Sequence, residues 1–479
     1  MAMPTSFSEA PRENESKVNL KVLLPTFGYK EVDPDDIDLM TVLRQIEGRH
    51  DVRILQPKDD GVLSIYAKDV LQAQAAAEAI RVSLVRDADE QEIWHPMVLA
   101  LPPSTEPEEF QAKLERAVDG VRLVALPKFN ILDWRPEIRD AQLCAVEYRK
   151  AFQDKISLIV SNLRSSPNEM RMRVQFGVLR LQEWRKNKDI YFFNELKTAT
   201  QRTGLRGTYK FSELVGSAQF AAHLLDIVVG LDGLFDPLSP RISCLEDVQP
   251  KHHLIFRTAA LDLEMEIIAV LDNDQSRLQY RPGPIKAYRR QKRSRSVEIV
   301  TSCPQLKHDW RLEVRARENL GSVPFTQDDI SRSMKFAAAE GNDTFPRPFF
   351  PKDFVAKYRI EGVQMRTFWA YRLKNTPYEV EISLYHGWPG PTNTPSKAMG
   401  CGISMKGMGW DDELDQKNIA DGLRDWSDDL KELFPQNRRS LKTDDDGLAY
   451  FLRCVGCLHG LVDKVCGMHI DDESKEEQE

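Results

Sequence analysis

Hydrophobic and polar positions alternate along the first part of this chain in a pattern that predicts a small α/β unit. Apolar residues at every second position indicate strands over residues 18–24, 50–55 and 62–67. A helix that ends near Gly48 precedes the second strand, and an Ala-rich amphipathic helix over residues 69–85 closes the unit. The predicted order is therefore strand, helix, strand, strand, helix.

Residues 43–85 resemble the second half of a KH domain in their apolar positions. KH domains hold a nucleic-acid backbone with a GxxG loop between two helices. In this chain that loop would fall at residues 33–39, which contain four carboxylates and no glycine. Because carboxylates repel phosphate, the resemblance implies a KH-like fold and argues against RNA clamping by this loop.

The next segment is predicted to be an α/β and helical connector. A strand over residues 97–102, a helix over 107–118 and a strand over 121–126 follow one another as in the first unit. A second degenerate KH-like unit and an ordinary connector both fit this order. A long helix over residues 136–163 then leads to a Ser-Ser-Pro-Asn loop.

Strands dominate the following segment, with short connections that favour an antiparallel meander. The strands are predicted at residues 172–179, 254–257, 261–271, 296–301, 310–317, 355–360, 364–373 and 378–385. Helices are predicted at residues 193–201 and 217–231. A Gly-rich loop over residues 389–409 and helices over 411–433 and 446–466 complete the chain.

The predicted fold class is α+β: a KH-like α/β module, a helical connector, and a larger, mainly antiparallel β-sheet domain with helices. The predicted boundaries are a disordered leader (1–17), the KH-like module (18–90), the connector (91–168), the β-rich α+β domain (169–395), a C-terminal loop with helices (396–470) and an acidic tail (471–479).

The chain also resembles a group of uncharacterised fungal proteins. The resemblance rests on the KH-like start, on Val174-Gln175-Phe176-Gly177 followed by Trp184, and on Trp369-Ala370-Tyr371-Arg372-Leu373 leading into a Tyr-Glu-Val-Glu-Ile strand. It implies this architecture and no particular activity.

Composition narrows the function. A net charge of -8 excludes a generally basic nucleic-acid coat, so any nucleic-acid contact must come from a local patch. The most apolar stretch, residues 221–231, is too short to span a bilayer, so no membrane partner is expected. Seven scattered cysteines favour a reducing compartment, the cytosol or the nucleus. No P-loop, GxSxG or HExxH motif occurs, so we predict neither a cofactor nor catalytic residues.

A basic run without an acidic residue is the strongest candidate site. Arginines beside tyrosines suit phosphate contact and base stacking, and Pro282-Gly283-Pro284 predicts that the run begins in a loop. A nuclear-localisation signal would have the same composition. The candidate nucleic-acid-binding residues are Arg281, Lys286, Tyr288, Arg289, Arg290, Lys292, Arg293 and Arg295.

Charged residues at alternate positions of three strands form a second candidate. They are Asp262, Glu264 and Glu266, then Arg311, Glu313, Arg315 and Arg317, then Glu379 and Glu381. Barrels of the triphosphate-tunnel type place facing acids and bases inside, the acids for a divalent metal and the bases for phosphates. An antiparallel sheet with one solvated face gives the same alternation, and we favour that interpretation.

Cys454, Cys457, Cys466 and His469 have the spacing of a zinc site. The surrounding residues predict an apolar-periodic helix, in which Cys454 and Cys457 would pack as small buried side chains. We therefore predict no metal there.

The leading hypothesis is a non-enzymatic nucleic-acid-binding factor, with RNA as ligand. Its basic loop would lie beside a degenerate KH-like platform. The second hypothesis is a protein-interaction scaffold, favoured by the acidic loop and the negative net charge. The third is a metal-dependent, phosphate-handling enzyme built on the alternating-charge strands.

Changing Arg289, Arg290, Lys292 and Arg293 together to glutamine tests the basic run. If the run contacts a nucleic-acid backbone, RNA affinity should fall for all sequences and the salt dependence should flatten, by about 2.8 in the log–log slope for four lost contacts. Fluorescence anisotropy at several salt concentrations measures both. Unchanged RNA binding with loss of nuclear entry would identify a localisation signal.

Overall fold

The computed structural model describes residues 18–23, 37–55, 62–90, 97–117, 120–129, 141–163, 169–182, 188–206, 208–231, 233–258, 261–272, 277–289, 296–317, 319–320, 332–337, 345–388, 397–415, 430, 432–435 and 447–476. The predicted leader and the acidic positions 33–36 lie outside these residues. The chain divides into two compact units, residues 1–93 and 94–479.

The first unit is a three-stranded antiparallel sheet with two helices. Its elements are β1 (Val18–Leu23), α1 (Ile37–His50), β2 (Arg53–Leu55), β3 (Val62–Ala67) and α2 (Val70–Glu90). Strand β3 is central, with β1 and β2 antiparallel on either side. Both helices contribute buried apolar residues to the same core as the strands. The five predicted elements are confirmed.

The second unit is built mostly of strands. They are β4 (Met97–Ala100), β5 (Gln111–Ala117), β6 (Gly120–Ala125), β7 (Glu169–Leu181), β8 (Ile190–Phe192), β9 (Tyr209–Ser212), β10 (Phe235–Pro237), β11 (Lys251–Arg257), β12 (Leu261–Asp272), β13 (Arg277–Arg289), β14 (Ser296–Ser302), β15 (Asp309–Arg317), β16 (Lys335–Ala337), β17 (Arg347–Phe349), β18 (Gly362–Leu373), β19 (Tyr378–Trp388) and β20 (Lys397–Gly407).

Helices lie between and after these strands. They are α3 (Val146–Leu163), α4 (Phe193–Arg206), α5 (Ala218–Gly230), α6 (Lys352–Tyr358), α7 (Trp410–Asp415) and α8 (Gly447–Glu476). Ser217 caps α5, since its side chain accepts a hydrogen bond from the backbone N–H of Phe220. Within the part of the chain that the structure describes, no helix combines the length and apolarity needed to cross a membrane.

The large sheet curls into a barrel. Its main path runs β13-β12-β11-β18-β19-β20-β7-β15-β14-β4. On a flat sheet β12 and β7 would lie about 24 Å apart, yet Arg171 on β7 lies 3.3 Å from Glu264 on β12. The backbone closes the ring after β15, where Asn319 forms a bridge with Tyr288 and Leu320 donates to the carbonyl of Ala287 on β13. Strands β13, β12, β11, β18, β19, β20, β7 and β15 therefore surround one interior.

Apolar residues cover the outside of this barrel. One core lies between the strands and helices α3, α5 and α8, with Trp310, Phe152 and Phe451 among its buried side chains. A second core covers the β11–β13 side, and a third lies between β4–β6 and α4. Because neighbouring side chains of a strand point to opposite faces, the polar residues of the barrel strands turn inward. The α+β fold class, with a large, mainly antiparallel sheet, is confirmed.

One segment that was predicted as a helix is a strand, and one that was predicted as a strand is helical. Residues 107–118 were predicted as a helix but contain β5, in which Ala112 and Leu114 alternate toward the third core. Residues 355–360 were predicted as a strand but form the end of α6, which terminates at Arg359 in the left-handed conformation. In both segments the apolar spacing fits helix and strand, and tertiary neighbours decide between them.

The predicted Gly-rich loop over residues 389–409 is wrong from residue 397 onward, because it contains β20. This strand completes the barrel between β19 and β7. Its glycines serve close approach: Gly400 has φ +132°, and a Cβ there would lie 2.8 Å from the carbonyl oxygen of Gly216. The predicted boundary at residue 395 therefore places β20 in a different segment from the other barrel strands. At the other end, α8 continues through Glu476, beyond the predicted start of an acidic tail.

We expect Gly400→Ala to destabilise the barrel, because it places a side chain on a left-handed backbone and against a carbonyl. The expected loss is about 2 kcal/mol of unfolding free energy. Gly362→Ala is the matched control, since nothing lies within 4 Å of its built Cβ; we expect a change within about 0.5 kcal/mol. Urea denaturation measures both, and equal values for the two variants would contradict the close-approach argument.

Candidate functional site

The barrel interior is lined by charged side chains of both signs, here called the interior network. Strand register places them opposite one another: Glu264 faces Lys286, Glu313 faces Arg173, and Glu379 faces Lys406. The network comprises Glu169, Arg171, Arg173, Glu213, Asp262, Glu264, Lys286, Glu298, Arg311, Glu313, Arg315, Arg317, Arg366, Glu379, Glu381, Lys406 and Asp411.

One part of the network joins the two ends of the sheet. Arg171 lies 3.1 Å from Glu169 and 3.3 Å from Glu264, and Lys286 lies 3.3 Å from Glu169. The guanidinium of Arg171 also donates to the hydroxyl of Tyr288 at 2.6 Å. Arg317 pairs with Glu264 and stacks over the Tyr288 ring at 3.8 Å. These contacts hold β12 and β13 against β7 and β15.

A second part surrounds Glu381 on β19. Its carboxylate pairs with Arg366 on β18 and accepts from Lys406 on β20 at 2.8 Å. Arg366 also donates to the hydroxyl of Ser383 at 2.9 Å. Lys406 lies 3.1 Å from Glu379 as well. Ion pairs thus connect the three adjacent strands β18, β19 and β20.

A third part surrounds Arg311, a buried arginine of β15. It pairs with Glu213, lies 3.1 Å from Glu298 and donates to Gln175 at 2.6 Å. Its guanidinium also stacks over the Phe211 ring at 4.8 Å. This arginine is enclosed on all these sides, so it serves the structure and not a ligand.

Neighbouring charges of opposite sign keep Glu381, Glu264 and Arg366 ionised. Burial alone would raise the pKa of Glu381, but the charges of Arg366 and Lys406 hold that pKa well below its usual range. The pKa of Glu264 is likewise lowered, because the charges of Arg317 and Arg171 outweigh its burial. Facing carboxylates raise the pKa of Arg366 despite burial. Glu381, Glu264 and Arg366 therefore remain ionised over the physiological range.

In much of the network the cation is the more exposed member of its pair. The Arg315 side chain is 42% exposed against 5% for Glu313, and Lys286 is 54% exposed against 16% for Glu169. The same order holds where Arg171, Arg366 and Lys406 meet their carboxylates. Arg311 and Arg317 are the reverse, lying deeper than their acids. Buried carboxylates thus hold several cations that reach solvent.

The interior carboxylates do not fit a divalent metal. Ca²⁺ and Mg²⁺ need several oxygen ligands around one point, whereas the oxygens of Glu169, Glu264 and Glu381 are engaged by arginines and lysines. Among the described residues no group of three or more His, Cys, Asp or Glu side chains could hold a metal ion.

The basic run is a strand up to Arg289, which corrects the predicted loop. Arg281, Lys286 and Arg289 are exposed on β13, while Tyr288 is buried at 1% exposure and held by Arg171 and Arg317. Tyr288 is therefore not available to stack on a base. The remaining residues of the run, Arg290, Lys292, Arg293 and Arg295, lie outside the described residues.

The C-terminal cysteines lie on α8. Cys454 is buried as predicted, but Cys457 is exposed, so the prediction that both are packed is wrong for Cys457. Three residues along a helix turn the side chain by about 300°, which is enough to carry it from the core to solvent. The position of the His469 side chain is outside the described set.

Several network residues were not singled out from the sequence. Glu169, Arg171 and Arg173 alternate on β7, and this regular alternation was a usable signal. Lys406 follows a Gly-rich segment that hid its strand. Glu213 lies between β9 and α5, where no periodicity could have revealed it.

Residues 138–413, more than half of the chain, match the family described as Domain of unknown function (DUF7905), and the chain belongs to this family. The matched residues include all the barrel strands. No curated protein sequence matches the chain.

Two solved structures of the S. pombe RNA triphosphatase Pct1 are similar to this chain. One has a TM-score of 0.28 and 10% identity, covering 65% of this chain and 88% of that chain. The other, Pct1 in complex with the Spt5 CTD, has a TM-score of 0.29 and 8% identity, covering 66% and 91%. This similarity is too low to assign a fold or an activity here.

We expect Glu381→Gln to destabilise the protein by about 3 kcal/mol at pH 7, because it leaves the partly buried cations of Arg366 and Lys406 under-compensated around a buried position. The ionised form of Glu381 is favoured by folding, so its contribution is fully present above its unfolded pKa of about 4.3 and is lost as pH falls through the lower folded pKa. The variant should therefore lose less stability than the parent between about pH 5 and pH 2.

Denaturation at a series of pH values measures this difference. Glu379→Gln is the control, because Glu379 contacts Lys406 and its loss leaves that lysine paired with Glu381. Parallel pH curves for Glu381→Gln and the parent would contradict the assigned role of Glu381.

Proposed function

We propose that this chain is a non-enzymatic binding protein for RNA and that its barrel interior holds RNA phosphates. The observation that carries the proposal is the order of exposure in the interior network. The carboxylates are the more buried members of their pairs, while the side chains of Arg171, Lys286, Arg315, Arg366 and Lys406 are the more exposed members.

Phosphate recognition requires cations held in a defined direction. An arginine side chain alone is flexible, and ordering it on binding costs conformational entropy. A buried carboxylate beneath the guanidinium removes much of that freedom before the ligand arrives. Arg315 on Glu313 and Arg366 on Glu381 have this arrangement, and the outer N–H groups of such arginines suit phosphate oxygens.

The two candidate sites of the sequence meet in one place. Lys286 belongs to the basic run and faces Glu264 of the alternating-charge strands in the β12–β13 register. Exposed Arg281 lies on the same strand, β13, whereas Arg289 pairs with Leu261 on the outer face. RNA held at the barrel could therefore extend along this strand. This supports RNA over a small anion as the ligand.

Within this proposal the N-terminal unit is a KH-like module. The strand, helix, strand, strand, helix order and the central position of β3 support that assignment. Its predicted loop is acidic, so we assign phosphate contact to the barrel and not to this unit. A protein-binding role for the N-terminal unit remains the alternative.

The double variant Arg315→Gln/Lys286→Gln tests the barrel site. Each removed cation leaves its carboxylate another cationic partner: Glu313 keeps Arg311, and Glu169 keeps Arg171. Folding should thus be retained. RNA affinity should fall about tenfold, and the log–log salt slope should fall by about 1.4 for two lost phosphate contacts on a single strand.

The probe is a 5′-phosphorylated single-stranded RNA, followed by anisotropy at several salt concentrations. Arg241→Gln, at an exposed turn position, is the matched control and should bind as the parent does. If the double variant keeps the parent affinity while the four-residue variant of the basic run loses it, RNA is held by the run alone. If none of the proteins binds RNA, the scaffold hypothesis replaces this proposal.

A further inference from the structure

Helix α7 holds an acidic residue against the barrel interior. It begins three residues after β20 and is anchored by two buried apolar side chains, Trp410 and Leu414. The indole of Trp410 donates to the carbonyl of Leu433 at 2.6 Å. Asp415 accepts a hydrogen bond from the backbone of Met170 at the start of β7. The helix therefore lies in a fixed position beside β7.

This position brings Asp411 to Arg173. Both carboxylate oxygens of Asp411 accept from the guanidinium of Arg173, at 2.8 and 2.9 Å. Such a two-pronged contact is the geometry in which arginine also binds phosphate. Arg173 lies on the same strand as Arg171 and opposite Glu313, within the interior network. The carboxylate thus occupies the guanidinium of an arginine that belongs to the interior network.

The order of exposure is inverted at this pair. Asp411 is 44% exposed and Arg173 is 21% exposed, whereas elsewhere the carboxylate commonly lies beneath its cation. Burial would raise the pKa of Asp411, but the hydrogen bond from Arg173 and the charges of Arg173, Arg171 and Lys406 lower it. Asp411 is therefore the more solvent-exposed group of this pair and lies in the field of several interior cations.

We propose that Asp411 is an autoinhibitory carboxylate that occupies the phosphate-binding side of Arg173 and must be displaced when the barrel takes up a phosphate group. This inference rests on the proposed function for its biological ligand. It adds a regulatory contact: only an anion able to compete with a tethered carboxylate enters this part of the interior.

The test compares Asp411→Asn with Asp412→Asn. Both remove one negative charge from the same helix, but Asp412 is exposed and has no assigned contact with the interior. Two readouts are used: affinity for the 5′-phosphorylated RNA, and the rise in melting temperature caused by inorganic phosphate. Asp411→Asn should bind RNA about three- to fivefold more tightly and gain more from phosphate than the parent does. Asp412→Asn should match the parent.

A third variant tests whether Arg173 is the group that binds the phosphate. Adding Arg173→Gln to Asp411→Asn should abolish the gain, since the phosphate would lose its guanidinium. A gain that survives Arg173→Gln, or equal behaviour of Asp411→Asn and Asp412→Asn toward phosphate, overturns the inference. If no protein binds RNA but Asp411→Asn still gains from phosphate, the proposed RNA function fails and the autoinhibitory contact stands.

Discussion

The closed barrel depends on ion pairs that cross its interior. Arg171 and Glu264 come from strands separated by four others in the sheet, and their contact, with those of Lys286 and Arg317, joins its two ends. Charges taken from water require partners. A flat sheet would separate the two sets of residues, so curling is the arrangement in which each strand's charges find their complements while the apolar faces pack outside.

The arginines of the interior network differ in how far they are exposed, and we assign them different roles on that basis. Arg311 is enclosed by acids and an aromatic ring, and its role is structural. Arg315 and Arg366 rest on buried glutamates and face solvent. The same residue types therefore do different work according to depth. In the proposed function, the exposed cations contact phosphate and the carboxylates below them hold these cations in place.

This arrangement also changes how the carboxylates are interpreted. Alternating acids on facing strands fit a metal-dependent phosphate site when only the sequence is considered. In the structure they are held by arginines and lysines, and they act as supports for cations. Asp411 approaches from helix α7, which follows β20, and it is more exposed than its arginine, as Glu213 is beside Arg311. We therefore assign the role of each charged residue from how deeply it is buried and not from its residue type.

Local periodicity determined much of the architecture: the elements of the N-terminal unit, helices α4 and α5, and strands such as β12, β15 and β18 follow from apolar spacing alone. Tertiary contacts decided the rest. Strand β20 is Gly-rich because the backbone of residues 213–216 lies against it, and β5 and α6 have spacings that fit either structure. Barrel closure could not be derived either, since the pairing of Arg171 with Glu264 joins residues 93 positions apart. The sequence by itself determined which residues carry charge and which face of each strand they share. Only the tertiary structure decided that those faces enclose one interior, because closure depends on contacts between distant strands that no local pattern records.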